Sequence, residues 1–393
     1  MDLSTGMISA SVTIVSFLLI LGFYGTYLLA LTHLRKHTKE IPLRSMAYDF
    51  TPYVSLIIAV YNEENVIQVR LQNIDQLDYP REKLDVLFVD GCSTDRTRDL
   101  IEEHIGLGRP FIKLIRQPVR NGYNGAVIDG LRVAKGEIIA ISGAEALYDK
   151  QALKFLVRHF ARSDIGAVTG RIIVLSKKKS VSSDMEFQYR GLQDFLMRQE
   201  TEVDSPFDIK GEICAARREV CQDFLRKKEI LLTEGCIDCC LSCEAKLKGY
   251  KTIYDPEATY REYVPYNMGE RFRAQARRGT VLIESLLFYK EMLFDKKYGL
   301  FGTLILPSHL AMLVIIPLLF VLGLVCLVLT AAYYPLWALA WVLSIFALMT
   351  LTPRLRAIVL AFAISQLALI AANLRIVTRR ESQMIGKALS TRN

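Results

Sequence analysis

The sequence predicts an α/β domain with a mixed, mainly parallel central sheet and helices on both faces, joined to α-helical transmembrane segments. Three observations lead there. Strand-like apolar runs alternate with helical patterns from about residue 53 to 160, the pattern of βαβ units. Uncharged apolar stretches near both ends are long enough to cross roughly 30 Å of hydrocarbon. Hydrophobic residues make up 51% of the 393, and mean hydropathy is +0.24.

In order, residues 7–31 form the first apolar run, followed by His33, Arg35, Lys36, His37 and Lys39. The run is too long for a signal peptide, no basic residue precedes it, and no small-residue cleavage site follows. The positive-inside rule places its basic flank in the cytoplasm. The strand at 56–60 (LIIAV) precedes a helix from Glu63, and the strand at 86–90 (VLFVD) a helix from Asp95. The strand at 111–116 precedes a helix from Asn124, and the strand at 138–142 a helix from Lys150. Residues 165–175 read as a further strand, 180–205 as a helix near the membrane, and 209–220 as a strand leading into a helix. The C-terminal apolar block divides at Tyr333-Tyr334-Pro335 and at 352–356 (TPRLR) into runs at 304–329, 336–351 and 358–376. If the last two both cross, the basic tail after Arg375 lies outside, against the charge rule. One of them then reads as re-entrant or interfacial, leaving three or four crossings open. The expected organisation is a transmembrane helix at 1–35, a cytoplasmic domain at 50–265, amphipathic interfacial helices at 266–300, transmembrane helices at 301–378 and a basic tail at 379–393.

Net charge is +8. The basic residues are spread through the middle domain and the membrane flanks, which suits anionic headgroups. No nucleic-acid motif accompanies them. The apolar runs carry no Asp, Glu or Lys, and their one Arg, Arg375, sits at the end of the last run, which argues against a transporter. Of eight cysteines, four fall at Cys236, Cys239, Cys240 and Cys243. That spacing is one face of a helix, which cannot converge four thiolates on one ion. Buried, small, apolar cysteines are the favoured reading over a metal centre, and a disulfide to Cys214 or Cys221 stays open.

Two strand ends carry the strongest signal. Residues 57–64 read IIAVYNEE and residues 89–95 read VDGCSTD. Together they resemble the "IIPxYNEE … VVDDGSTDxT" pattern of the inverting family 2 glycosyltransferases, which have the A-type nucleotide-sugar fold. In that family the carboxylate at Asp90 contacts the base, and the turn at 59–63, with Ala59, Tyr61 and Glu63, lines the donor pocket. A Glu63 that merely favours a helix N-terminus is the plainer alternative. Arg120-Asn121-Gly122-Tyr123-Asn124-Gly125-Ala126 resembles the family's "NxGKxxAxNxG", with Tyr123 where the lysine stands. Asn121 and Gly122 are carried over as donor-binding positions.

The family's Asp-x-Asp becomes Gly143-Ala144-Glu145. By resemblance Gly143 lies at the donor, and Glu145 is the candidate ligand for Mg²⁺ or Mn²⁺, which need only one or two carboxylates plus phosphates. A metal-free site neutralised by arginines is the alternative. Thr233-Glu234-Gly235-Cys236-Ile237-Asp238 stands for the family's "(T)EDxxLSxRLxxxGYK". Asp238 is the favoured general base and Glu234 the second candidate; an ordinary helix cap at Asp238 is the bland reading. Gln275-Ala276-Arg277-Arg278-Gly279 resembles "QxxRW" of the polysaccharide synthases, without the tryptophan. It implies diphosphate binding by Gln275, Arg277 and Arg278, or a basic helix meeting headgroups.

The resemblance implies a membrane-bound glycosyltransferase that takes a UDP- or GDP-sugar and a lipid-linked or membrane-surface acceptor. A polyprenyl-phosphate hexosyltransferase, a processive polysaccharide synthase and a catalytically weak nucleotide-sugar binder stay open as alternatives.

Overall fold

The computed structural model describes residues 3–37, 50–227 and 237–378. Glu234 and Cys236 lie outside them. Helix α1 is Leu3–Arg35. Strands β1 (Val54–Val60), β2 (Leu84–Asp90), β3 (Ile112–Arg116) and β4 (Ile138–Gly143) alternate with helices α2 (Ile67–Asp75), α3 (Thr97–Gly106) and α4 (Gly122–Val133). Then follow β5 (Leu147–Tyr148), α5 (Ala152–Val157), β6 (Ile165–Leu175), α6 (Val181–Val203), β7 (Cys214–Arg217), α7 (Arg218–Gln222), α8 (Ile237–Leu247), β8 (Lys251–Tyr263) and α9 (Met268–Phe288).

The eight strands form one sheet in the order β3-β2-β1-β4-β7-β6-β8-β5. Strands β1 to β4 pair in parallel, β7 runs antiparallel to both β4 and β6, and β6 pairs in parallel with β8. The expected mixed, mainly parallel sheet is therefore present. Two hydrophobic clusters, one on each face, bury β1: Ile57 joins Val127, Ile128 and Ile141, while Ile58 joins Phe88, Leu71 and Leu153.

Boundaries shift for local reasons. Helix α2 begins four residues after Glu63, because the Glu63 carbonyl takes the N–H groups of Val66 and Ile67 in a turn, both at 2.9 Å. Helix α6 begins where the Ser180 capping box closes its first turn with Ser183.

Three apolar helices follow: α10 (Phe301–Tyr333), α11 (Pro335–Leu351) and α12 (Pro353–Val377). By length and composition, α1, α10 and α12 are each able to cross a membrane, whereas α11 is shorter. Helix α1 runs antiparallel to α10, with Ser9 beside Thr330. Glu200 of α6 ties both to the sheet domain, accepting from Tyr27 of α1 and meeting His309 of α10, each at 2.8 Å. Arg35 pairs with Glu202 at 2.7 Å. Helix α12 packs on the sheet domain: Ala357 and Ala361 meet Met185 of α6, and Leu369 and Ala372 meet α9 at Gly279.

Candidate active site

The parallel register places Val60 beside Asp90 and Ala59 beside Gly143. The carboxyl ends of β1, β2 and β4 thus form one rim, the ligand-binding edge of an open α/β sheet. The loops beyond β1 and β2 clasp one another. Asn62 N–H donates to Ser93 Oγ at 3.0 Å, Thr94 N–H to Asn62 Oδ1 at 2.9 Å, and Glu63 N–H to Thr97 Oγ1 at 2.7 Å. Asn62 and Cys92 hold left-handed φ angles of 52° and 64°. Cys92 stands where the family pattern has glycine, so a β-carbon is carried in a conformation that glycine adopts without strain.

Asp90 is buried at the strand end. Both its oxygens accept the Ser93 N–H, at 3.1 and 3.2 Å, and Arg98 Nε stands 3.6 Å away. A carboxylate has about four lone-pair sites, so this bonding fixes Asp90 and leaves capacity for a ligand. Glu63 is buried at the base of its loop. Tyr61 is half-buried, with the Arg120 guanidinium 3.6 Å from its ring centroid. Asn121 and Gly122 open α4 and are exposed, and Gly122 takes φ 69°.

At the end of β4, Gly143 and Glu145 are half-buried. Sequence reasoning missed the two carboxylates facing them, Glu212 and Glu262. The carbonyl of Glu212 accepts from Ser142 Oγ at 3.0 Å and Tyr148 Oη at 3.1 Å. Burial pushes the Glu262 carboxyl up to about 8, Glu212 and Glu145 push the same way, and Arg190 and Arg278 oppose them. A buried cation, Lys210, is pulled down to about 8 by burial and by Arg190.

Asp238 lies in the first turn of α8. Its carboxylate is seated on the backbone of Gly211: a β-carbon at 211 would stand 1.9 Å from Asp238 Oδ2. Tyr123, at the family's lysine position, faces it. Burial and then the Asp238 charge hold the Tyr123 hydroxyl well above its usual range.

Helix α9 divides its motif. Gln275 is buried and turned toward α12, accepting from Arg271 Nη1 at 3.2 Å and Ser365 Oγ at 3.3 Å. Arg278 carries its charge beside Arg190, Glu186 and Glu212. Arg277 is half-buried. A β-carbon at Gly279 would come within 2.8 Å of Leu369 and 3.2 Å of Ala372. The position at which the family pattern has tryptophan is here a close helix crossing. Cys239, Cys240 and Cys243 are buried, as are Cys214 and Cys221. Among the described residues no three His, Cys, Asp or Glu side chains form a metal-binding group.

The glycosyl transferase family 2 profile matches residues 55–225, the span that builds this rim from β1 to α7. The chain contains a family 2 glycosyl transferase domain. Over 172 residues it is 28% identical to a beta-monoglucosyldiacylglycerol synthase of Nostoc sp., covering 43% of this chain and 36% of the relative. Over 225 residues it is 25% identical to a poly-beta-1,6-N-acetyl-D-glucosamine synthase of Staphylococcus aureus, covering 57% of this chain and 53% of that one. The chain thus spans between a third and about half the length of these curated relatives. A mannosyltransferase of Pyrobaculum calidifontis, solved in complex with GDP-Man and Mn2+, superposes with a TM-score of 0.75 at 23% identity. The superposition covers 95% of this chain and 100% of that one, so the A-type α/β domain and the apolar helices beside it share their overall fold with that structure.

Proposed function

We propose that this chain is a membrane-bound, inverting glycosyltransferase. It moves a hexose from a UDP- or GDP-sugar to a hydroxyl of a lipid-linked or membrane-surface acceptor. The observation that carries the reading is the seat of Asp238: its carboxylate rests on Gly211, on the rim that also holds Glu145, Gly143 and the clasped loops of β1 and β2. A carboxylate there takes the proton of the acceptor hydroxyl as that oxygen attacks the anomeric carbon and the nucleoside diphosphate leaves. One displacement inverts the centre. Asp90 and Tyr61 grip the nucleoside, and Arg278, with Arg277, neutralises the leaving diphosphate.

A divalent cation fits this rim. Glu145 and Glu212 offer the hard oxygens that Mg²⁺ and Mn²⁺ prefer, and nearby Glu262 Oε2 is a buried oxygen with no hydrogen-bond partner among the described residues. The ion would supply positive charge against the departing diphosphate. The structural neighbour bound GDP-Man and Mn2+, which supports a GDP-sugar as the first donor to try.

The acceptor belongs at the bilayer. Helices α1, α10 and α11 provide the crossings, and α12 lies along the interface beneath α6 and α9, which returns the basic tail to the cytoplasmic side. The glucosyldiacylglycerol synthase relative favours a lipid acceptor. The helix crossing at Gly279 removes the sugar-stacking tryptophan of polymer synthases, which favours single transfer over processive synthesis.

The test uses the full chain in lipid nanodiscs with radiolabelled GDP-mannose, UDP-glucose and UDP-N-acetylglucosamine, reading label in the lipid extract. The wild type should label lipid from one donor. Asp238→Asn should abolish transfer with nucleotide affinity kept within about threefold; transfer at the wild-type rate would sink the base assignment.

A further inference from the structure

The family pattern asks for two carboxylates at the end of β4, and this chain presents one, because residue 143 is glycine. The sheet shows where the other has gone. Strand β7 runs antiparallel to β4, with Ile138 opposite Arg217 and Ile141 opposite Cys214. Continued two residues past its last pair, that register brings Glu212 opposite Gly143. Opposed residues in an antiparallel pair project from the same face, with β-carbons about 5 Å apart. The side-chain geometry agrees: a β-carbon built on Gly143 would touch Glu212 Cγ at 3.7 Å. The Glu212 side chain therefore stands where an aspartate at 143 would have projected.

Glu212 is also held for the task. Ser142 Oγ and Tyr148 Oη both donate to its carbonyl, at 3.0 and 3.1 Å. They fix the backbone at the strand end while its carboxylate makes no hydrogen bond or ion pair among the described residues. Glu145 lies two residues beyond Gly143, the residue that Glu212 stands over, and the charges of both carboxylates reach the Glu262 carboxyl, so the two share one end of the sheet.

We propose that Glu212 supplies, across the β4–β7 ladder, the carboxylate that Gly143 lacks, and that with Glu145 it holds a divalent cation on the diphosphate of the bound nucleotide. This rests on the glycosyltransferase reading above. Two carboxylates plus phosphate oxygens are an ordinary ligand set for Mg²⁺ or Mn²⁺. No third protein ligand is grouped with them among the described residues. The ion therefore binds only with nucleotide, as a ternary complex.

The test is Mn²⁺ binding to the purified full chain, read from the free-Mn²⁺ electron paramagnetic resonance signal, with GDP or UDP and without. The wild type should take up one Mn²⁺ per chain only when nucleotide is present. Glu212→Gln and Glu145→Gln should each weaken that uptake by about tenfold or more. The decisive variant moves the carboxylate back across the ladder. Gly143→Asp has room at 3.7 Å, and in the Glu212→Gln background it should restore Mn²⁺ affinity to within about threefold of wild type. A purely structural role for Glu212 predicts no such rescue. Unchanged Mn²⁺ affinity in Glu212→Gln, or no rescue by Gly143→Asp, overturns the proposal. So does nucleotide binding that never recruits Mn²⁺, which leaves the glycosyltransferase reading standing. A wild type that binds neither GDP nor UDP overturns that reading as well.

Discussion

Replacing Gly211 by alanine probes the proposed general base, Asp238, without substituting it. The new β-carbon would stand 1.9 Å from Asp238 Oδ2 and 2.8 Å from its Cγ, whereas ordinary contact begins at 3.4 Å. The oxygen must retreat by about 1.5 Å, the difference between those two distances. The backbone at 211 has little freedom to give instead. Lys210 N–H donates to Thr169 Oγ1 at 2.9 Å, and Ile213 N–H closes a turn on the Lys210 carbonyl at 3.1 Å. A displacement of about 1 Å at a reacting group costs roughly a hundredfold in rate. Gly211→Ala should therefore lower kcat for sugar transfer by about a hundredfold or more, with donor KM nearly unchanged. Overpacking should cost about 1–3 kcal/mol of stability, a modest drop in Tm. Rates are read as label transferred to lipid, beside nucleotide affinity by calorimetry. In the Asp238→Asn background the same change should add little, because both act on one group. A kcat within threefold of wild type would show that Asp238 is not the base in this seat.

Other substitutions address particular features. Cys92→Gly relieves the left-handed φ of 64° and should raise stability by up to about 1 kcal/mol, read as a higher Tm; a lower Tm would mean the sulfur contact to the Gln117 carbonyl outweighs the strain. Gly279→Trp restores the family motif in sequence, yet it collides with Leu369 and Ala372. It should lower Tm and leave transfer no better, and enhanced polymer formation would refute the helix-crossing account. Burial pushes the Cys221 thiol up to about 12, so its thiolate is scarce below about pH 10. Of the seven described cysteines, iodoacetamide at pH 8 should modify half-exposed Cys92 first and leave Cys221 unmodified until the protein unfolds; early labelling of Cys221 would contradict its burial.

Much of this was legible in the chain because it is written locally. The runs at β1 and β2 are short, apolar and each followed by a polar turn, so Glu63 and Asp90, beyond or at their carboxyl ends, could be placed on one rim of one sheet. The cysteines of α8 were readable as a buried helix face for the same reason. What was hidden depends on partners distant in sequence. Glu212 acquires meaning only opposite Gly143, about 70 residues away, through a β4–β7 register that no local pattern encodes. Gly211 matters because Asp238 folds back onto it. Strand β8 escaped notice because Asp255 and Pro256 interrupt its apolar pattern. The fold buries that aspartate by giving it Arg158 at 2.6 Å and His159 at 2.7 Å, with a register shift in the ladder beside it. Gln275 illustrates a further limit: its motif points to phosphate, but its neighbours are Arg271 and a serine of α12.

The most direct test of the whole account is a structure of the chain with a non-hydrolysable GDP- or UDP-sugar bound. The account predicts the base between Tyr61 and Asp90, the diphosphate over Glu145 and the anomeric carbon facing Asp238. A nucleotide seated away from the ends of β1, β2 and β4, or an anomeric carbon turned away from Asp238, would contradict it.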